Sequence, residues 1–423
     1  LPAGKTFFAS KIVVSLIFQF CNLNFSFRSA LPFGFVFCWI ISQAKAQIPF
    51  DTMGNRFLKN IFPEIKTDTQ VVYASGINAL GQVQLLHLDV YEPAGDTASL
   101  RPLIILAHGG GFIQGDKQDM AFTCQQFAKK GYVTATIQYR LGLSGFSTQA
   151  LVQMVIRASQ DMKNAIRFFR KSASQANPYR IDPNFIFSGG FSAGAITALH
   201  AAFLDKVSEI PANQGIPNLD SLHNNSQYPD FSWKTKAILN IAGALGDTLW
   251  MEYGDIPVAS FHGTTDNVVP FESGSIGLPG FSVAMFGSSS IQSRSQNLGI
   301  ASVLRAFPGA GHDYTSGNPD FADTTEIRVA RFLYPFLLEP ITKTQKARWK
   351  SDFQIFKRTE YWQIEWKDCR PNALTIFDLQ GKILHRIFPK PENKIKLPTK
   401  NQARILVLEF ENGEKEGRIL PGE

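Results

Sequence analysis

The sequence predicts an α/β fold: a doubly wound, mostly parallel sheet with helices on both faces, followed by a small C-terminal β-sandwich. Three observations carry this. From residue 85 onward, strand-like and helix-like stretches alternate. Beyond Pro340, lysine and short alternating strands replace that rhythm. The 44% hydrophobic and 18% charged fractions over 423 residues are those of a globular chain with room for one large domain and a smaller one. The expected division is a leader over 1–46, an α/β domain over 47–342 and a β-sandwich over 349–423.

The leader comes first. Residues 12–27 and 31–42 are apolar and aromatic, the first methionine is Met53, and Ser42-Gln43-Ala44-Lys45-Ala46 follows. Ala44-x-Ala46 fits the small-residue rule of signal-peptide cleavage, with Gln47 as the first mature residue and Arg28 as the positive flank. The run 31–42 is short for a membrane span. The reading is therefore export, to the medium or the cell surface, with residues 1–27 as upstream translation. A membrane anchor built from both runs is the alternative.

The α/β elements follow. Leu85–Tyr91 and Leu103–Ala107 read as strands, Asp119–Lys130 as a helix and Val133–Tyr139 as a strand. Leu151–Ser174 has helical spacing, with Ile156, Ala165, Ile166 and Phe169 on its apolar side. Phe185–Ser188 is a short apolar strand before a helix at Ala193–Asp205. Ala237–Ile241, Val258–Phe261 and Ser302–Phe307 complete the strands, with helices near 290–298 and 324–338. Strands joined by such helices make a parallel sheet buried on both sides, while the earliest strands pair antiparallel. Residues 207–235 and the Gly/Ser-rich 272–288 break the rhythm and read as loops able to wall a pocket. In the tail, Trp362–Trp366, Leu374–Phe377, Lys382–Ile387 and Ile405–Phe410 read as strands, with a hairpin turn at Asp378-Leu-Gln-Gly381.

Charge and cysteine content narrow the function. The net charge is +7, but residues 1–46 contribute +4 and residues 343–423 contribute +6, leaving the body between them at −3. A mildly acidic body argues against a nucleic-acid partner. Of the four cysteines, Cys21 and Cys38 fall in the leader and Cys124 and Cys369 in different domains, so no disulfide framework emerges.

The chemistry centres on Gly190-Phe-Ser192-Ala-Gly194, a G-x-S-x-G stretch between a strand and a helix. That context is a nucleophile elbow: a tight turn lifts the serine above the sheet at the positive end of the following helix. A serine hydroxyl needs a base to take its proton, and the base needs an acid to orient it. His312, in Pro308-Gly-Ala-Gly-His312, and Asp266, in His262-Gly-Thr-Thr-Asp266, both follow strands at the end where such sheets bind ligands. Their order, Ser192, Asp266, His312, is the expected one. Asp247 and Asp255 compete for the acid. His200 reads as a packed or solvent-facing helix residue, His87 as a strand residue, and His262 as ordering its Gly turn.

The run His108-Gly-Gly-Gly-Phe112 follows the strand Leu103–Ala107, and a glycine run costs backbone entropy. Its use would be to bring bare amides up to a developing negative charge, each such donor lowering a barrier by roughly 3 kcal/mol. The hole is assigned to the N–H groups of Gly110, Gly111 and Ala193, with Phe112 entering if the register slips by one. His108 would brace the loop. No His/Cys/Asp cluster suggests a metal, and the scheme needs no cofactor.

HGGGF, LDVYEP, RIDPNFIFSGGFSAGA, FHGTTDNVVPF and GAGH together resemble the α/β-hydrolase serine esterases, over about residues 70–340. The similarity is greatest to the bacterial carboxylesterase, acetyl-xylan esterase and feruloyl esterase-like members. The resemblance implies Ser192 as nucleophile, His312 as base, Asp266 as acid and the Gly110/Gly111/Ala193 hole. Phe191 departs from the small or polar residue common before the serine and would narrow the acyl side. The tail from Leu374-Thr-Ile-Phe-Asp-Leu-Gln-Gly381 to RILVLEFENGEKEGRIL resembles type IX secretion sorting domains of Bacteroidetes-type bacteria. It departs at Arg370-Pro-Asn-Ala and Gln402-Ala-Arg-Ile. The resemblance implies the secretion machinery as a partner.

The resulting expectation is a secreted serine esterase acting on small acyl or hydroxycinnamoyl esters, on plant polysaccharides among other alcohols, with no nucleic-acid partner and no stable membrane span. Two alternatives stand beside it. One is a serine peptidase on the same fold. The other is a non-catalytic binding protein whose tail binds carbohydrate through Trp349, Trp362 and Trp366. Alternation of Trp362, Ile364 and Trp366 onto one strand face favours a sandwich core over sugar binding.

Overall fold

Along β3 (Arg101–Ala107), Leu103, Ile105 and Ala107 enter one apolar cluster, while Ile104 and Leu106 enter a second. A period of two with both sets fully buried means a strand covered on both faces. The computed structural model describes residues 50–210, 222–223, 227–278, 280–315 and 318–338, and seven strands between 353 and 420.

The principal sheet has eight strands. They are β1 (Ile65–Ile77), β2 (Val83–Pro93), β3, β4 (Val133–Ile137), β5 (Ile181–Phe191), β6 (Ile238–Ile241), β8 (Val258–Gly263) and β11 (Val303–Phe307). Their order is β1-β2-β4-β3-β5-β6-β8-β11. β1 and β2 pair antiparallel, as do β2 and β4, and every later pairing is parallel. This is the α/β-hydrolase arrangement.

Helices α1 (Ala121–Ala128), α2 (Thr148–Ser174), α3 (Ala193–Phe203), α4 (Ser288–Leu298) and α5 (Pro319–Leu337) cover it. On one face α2 contributes Ala165, Ile166 and Phe169, and α3 contributes Ile196 and Leu199. On the other, Cys124 and Phe127 of α1 belong to one apolar cluster with Val329, Leu333 and Leu337 of α5. Each such large side chain contributes about 1.5–3 kcal/mol by leaving water. Cys124 is a free, buried thiol whose pKa burial pushes up to about 12. The long helix α2 starts where the Ser147 side chain accepts from the Ala150 amide.

One expectation needs correction, and one strand adds to the sequence reading. Residues 272–288 are not a plain loop: β9 (Ser273–Leu278) and β10 (Phe281–Gly287) form a hairpin that joins the short β7 (Ala244–Leu245) in a second sheet. A strand precedes residue 85, because β1 adds a thirteen-residue antiparallel edge. Where described, the 207–235 excursion is tied to α2: Arg167 Nε donates to Phe231 O at 3.1 Å and Arg170 donates to Lys234 O at 2.6 Å.

The tail forms a three-stranded and a four-stranded antiparallel sheet. Ile364 and Leu397 from the first share one apolar cluster with Leu374, Ile376 and Leu406 from the second, and Trp362 packs against it. The leader with Cys21 and Cys38, Thr342–Arg348, Trp349, Cys369, Asp378–Gly381, and residues 370–372 and 402–403 of the two sorting-motif departures lie outside the described residues, as does the Trp366 side chain, while Ala373, Arg404 and Ile405 lie on strands of the tail. No helix among the described residues is long and apolar enough to cross a membrane.

Candidate active site

Four loops leave the C-terminal ends of parallel strands and converge. They follow β3, β5, β8 and β11, with Ala107 beside Gly190 and Gly263 beside Phe307 in the sheet. Ser192 stands at the turn between β5 and α3 with φ 54° and ψ −120°, a left-handed conformation rare for a residue with a Cβ. The turn is held by its amide, which donates to Ile241 O at 2.9 Å. It brings the chain so close to β3 that only glycine fits after Ala193: a Cβ on Gly194 would lie 2.0 Å from Ala107 O.

His312 Nε2 lies 2.9 Å from Ser192 Oγ, and His312 Nδ1 lies 2.6 Å from Asp266 Oδ2. The loops carrying the acid and the imidazole are stitched together. Thr264 N donates to Phe307 O, Thr265 N and Oγ1 both donate to Ala310 O at 3.0 Å, and Gly309 N donates to Thr264 Oγ1 at 2.9 Å. The Asp266 side chain is fully buried, while the His312 side chain is 17% exposed. The Phe191 ring flanks His312 at 5.3 Å between centroids.

Burial works to raise the Asp266 pKa, but hydrogen bonds outweigh it. They come from the His262 and His312 rings and then from the Val269 and Val268 amides, and they hold the carboxyl well below the usual carboxylate range. Oδ1 accepts from Val268 N at 2.8 Å and Val269 N at 2.9 Å, and Oδ2 takes both imidazoles. The result is a fixed anion behind an imidazole that faces a hydroxyl. That arrangement can take the hydroxyl proton and stabilise the imidazolium that results.

The glycine loop lies beside it. Gly110 has φ 100° and Gly111 φ 59°, and a Cβ on Gly110 would lie 2.1 Å from Gln114 O. The Ile113 and Gln114 amides both close the turn onto Gly110 O. Phe112 also adopts a left-handed φ, 63°, with its ring edge-on to Tyr139. His108 is buried and stacks on Tyr139 at 4.4 Å, its Nδ1 is 2.7 Å from Gly109 O, and Tyr139 OH donates to its carbonyl at 2.8 Å. Burial lowers the His108 pKa, against the bond to Gly109 O. The Ala193 amide opens α3, where a helix leaves its first N–H groups without intrahelical partners.

The competitors go elsewhere. Asp247 accepts from Leu249 N at 2.8 Å and Asp255 from Glu252 N at 2.7 Å, so both serve local turns. His200 is buried in α3, bonds to Ile196 O at 2.8 Å, and is pushed down to about 4 by burial. His87 lies on β2. His262 does more than order its turn, since its ring touches Asp266 directly at 2.9 Å. Ser288 and Asn240, which join it, were not among the sequence candidates. A lone asparagine inside the apolar run Ala237-Ile-Leu-Asn240-Ile was the available signal. Among the described residues no group of three His, Cys, Asp or Glu side chains could hold a metal ion.

Residues 88–247 match the family model described as BD-FAE. The chain is similar to the juvenile hormone esterase of Heliothis virescens, 29% identical over 27% of this chain and 20% of that protein. It is also similar to gut esterase 1 of Caenorhabditis elegans, 31% identical over 26% of this chain and 19% of the other. A third relative is the fumonisin B1 esterase of Sphingopyxis macrogoltabida, 27% identical over 31% and 25%. The chain spans about a fifth to a quarter of the length of these curated relatives. Among solved structures, native esterase 2 of Thermogutta terrifontis aligns over 67% of this chain and 97% of its own, at 21% identity and a TM-score of 0.47.

Proposed function

We propose that the chain is a serine hydrolase of carboxylic esters that works through an acyl-enzyme. One observation carries the reading: Ser192 Oγ, the His312 ring and the Asp266 carboxylate are in hydrogen-bond contact in sequence, at 2.9 and 2.6 Å. The esterase names of the curated relatives support it.

In this scheme Ser192 Oγ attacks the ester carbonyl carbon as His312 Nε2 takes its proton. The carbonyl oxygen becomes an oxyanion and receives hydrogen bonds from the Gly110, Gly111 and Ala193 amides. Collapse of the tetrahedral intermediate breaks the bond to the alcohol, which leaves with the proton from His312. Water, deprotonated by the same ring, then attacks the acyl-enzyme and frees the acid. Asp266, held ionised, faces the imidazolium at both stages. Phe191, against His312, narrows the acyl side. This favours small acyl groups or flat hydroxycinnamoyl groups, with plant polysaccharides as one source of the alcohol.

A panel of aryl esters of increasing acyl length, run with methyl ferulate and acetylated xylan, tests the reading. Hydrolysis falling steeply with acyl length is expected. Cleavage of peptide amides with every ester untouched would contradict it and make the protein a peptidase. We also propose export, from the 28–46 leader, and sorting through the 374–420 strands. Protein retained inside the cell with residues 28–46 uncleaved would remove the first. Unchanged secretion after deletion of the tail would remove the second.

A further inference from the structure

We propose that His262 is a positioning residue of this site: a second imidazole, held in one tautomer, that donates to the same Asp266 oxygen that His312 uses and sets the pH range in which His312 acts as base. The proposal rests on the ester-hydrolase reading above.

The direction of the network is fixed by two groups that can each act in only one way. Gly243 N–H can only donate, and it lies 3.0 Å from Asn240 Oδ1. The Asn240 amide is therefore oriented with Nδ2 toward Ser260 Oγ and Ser288 Oγ, both at 3.0 Å. At the other end, the Val269 carbonyl can only accept, and it lies 3.2 Å from His262 Nε2. Nε2 therefore carries a proton, which it shares with Asp266 Oδ2 at 2.9 Å. Between these ends Ser288 Oγ accepts from Asn240 and gives its own proton to His262 Nδ1, 2.8 Å away. Asn240, Ser288 and His262 are all fully buried. A second ring proton, on Nδ1, would turn the Ser288 hydroxyl into a dry interior where an unmade bond is costly.

Asp266 Oδ2 thus divides its charge between two N–H donors, at 2.6 Å and 2.9 Å. Among the described residues, Asp266 is the charged side chain in contact with either ring. The other groups touching them are the Ser192 and Ser288 hydroxyls, the Val269 carbonyl and the Phe191 and Phe271 rings. Asp313 and Glu272, neighbours in the chain of His312 and Phe271, are exposed. Without the His262 donor the whole carboxylate charge bears on His312 and favours its imidazolium. The base then keeps its proton to higher pH, and Oδ2 loses one of its two tethers.

The experiment compares full-length wild type, His262→Ala and His262→Gln, whose amide nitrogen reaches the Nε2 position. Ester hydrolysis is followed between about pH 5 and 9. For His262→Ala, kcat is expected to fall about ten- to a hundredfold with little change in KM. The acid limb of kcat/KM should move up by about one pH unit. His262→Gln is expected to recover most of both. An unmoved limb and unchanged kcat in folded His262→Ala, with active wild type, overturn the inference alone. Wild type inert toward every ester overturns the reading beneath it. If His262→Ala does not fold, NMR of wild-type protein with ¹⁵N-labelled histidine decides. His262 should show a protonated Nε2 and a bare Nδ1 near neutral pH, and a proton on Nδ1 would overturn the proposal.

Discussion

The two ends of the principal sheet each bury an aspartate among donors, and the donors differ. Asp96 follows β2, beside the start of β3. It meets Arg56 through two bonds, at 2.9 and 2.6 Å, and has Arg101 Nε at 3.9 Å. Asp266 follows β8 at the opposite end and meets two imidazoles. Burial raises the pKa of both. Asp96 is brought down by the Arg56 hydrogen bond, the Ala98 amide and the guanidinium charges, and Asp266 by the two rings and two amides. A guanidinium never gives up its proton, so the Asp96 cluster can only hold the strands in place. An imidazole exchanges its proton near neutral pH, so the Asp266 cluster can do chemistry. The same acid, equally buried, serves scaffold or site according to whether its partner titrates.

Substitutions at the two ends test that contrast. Ser192→Ala should remove about 10⁵-fold or more of ester turnover, leaving the thermal unfolding midpoint near that of wild type. Asp266→Asn should cost about 10³–10⁴-fold in kcat, because a neutral amide neither orients the ring nor faces an imidazolium. Gly110→Ala sharpens the role of the glycine turn. Its methyl cannot sit 2.1 Å from Gln114 O, so the turn must shift, at a cost of about a hundredfold in kcat. Asp96→Asn is the counterpart at the scaffold end. It should leave turnover per folded molecule unchanged and cost about 3 kcal/mol of stability in urea unfolding, since the buried Arg56 loses its anion while Arg101 keeps Glu92. The folded pKa of Asp96 is depressed, so the stability it lends is full above the unfolded value of about 3.9 and is lost as pH falls through the folded one. The Asp96→Asn deficit should therefore shrink at acid pH. Loss of turnover without loss of stability at Asp96 would break the contrast.

Much of the site was legible in the sequence because its parts are local. Glycines mark the turns, and Ser192, Asp266 and His312 each stand just past a strand end. The elements whose evidence is not local escaped. The first half of β1, Lys66–Gln70, is exposed and polar, so it shows no apolar alternation. β9 is built largely from glycines and serines, and only its pairing with β10, which in turn joins β7, makes it sheet. The relay from Asn240 through Ser288 to His262 draws one polar atom from each of β6, α4 and β8. No period or spacing joins those positions, and only the fold makes them neighbours.

Reaction of the folded protein with a fluorophosphonate, followed by peptide mapping, asks most directly whether the Ser192 hydroxyl is activated by the His312–Asp266 pair. A single adduct on Ser192 in wild type, lost in His312→Ala, is the predicted result. An unmodified Ser192 in folded wild-type protein, or an adduct on another serine, would contradict it.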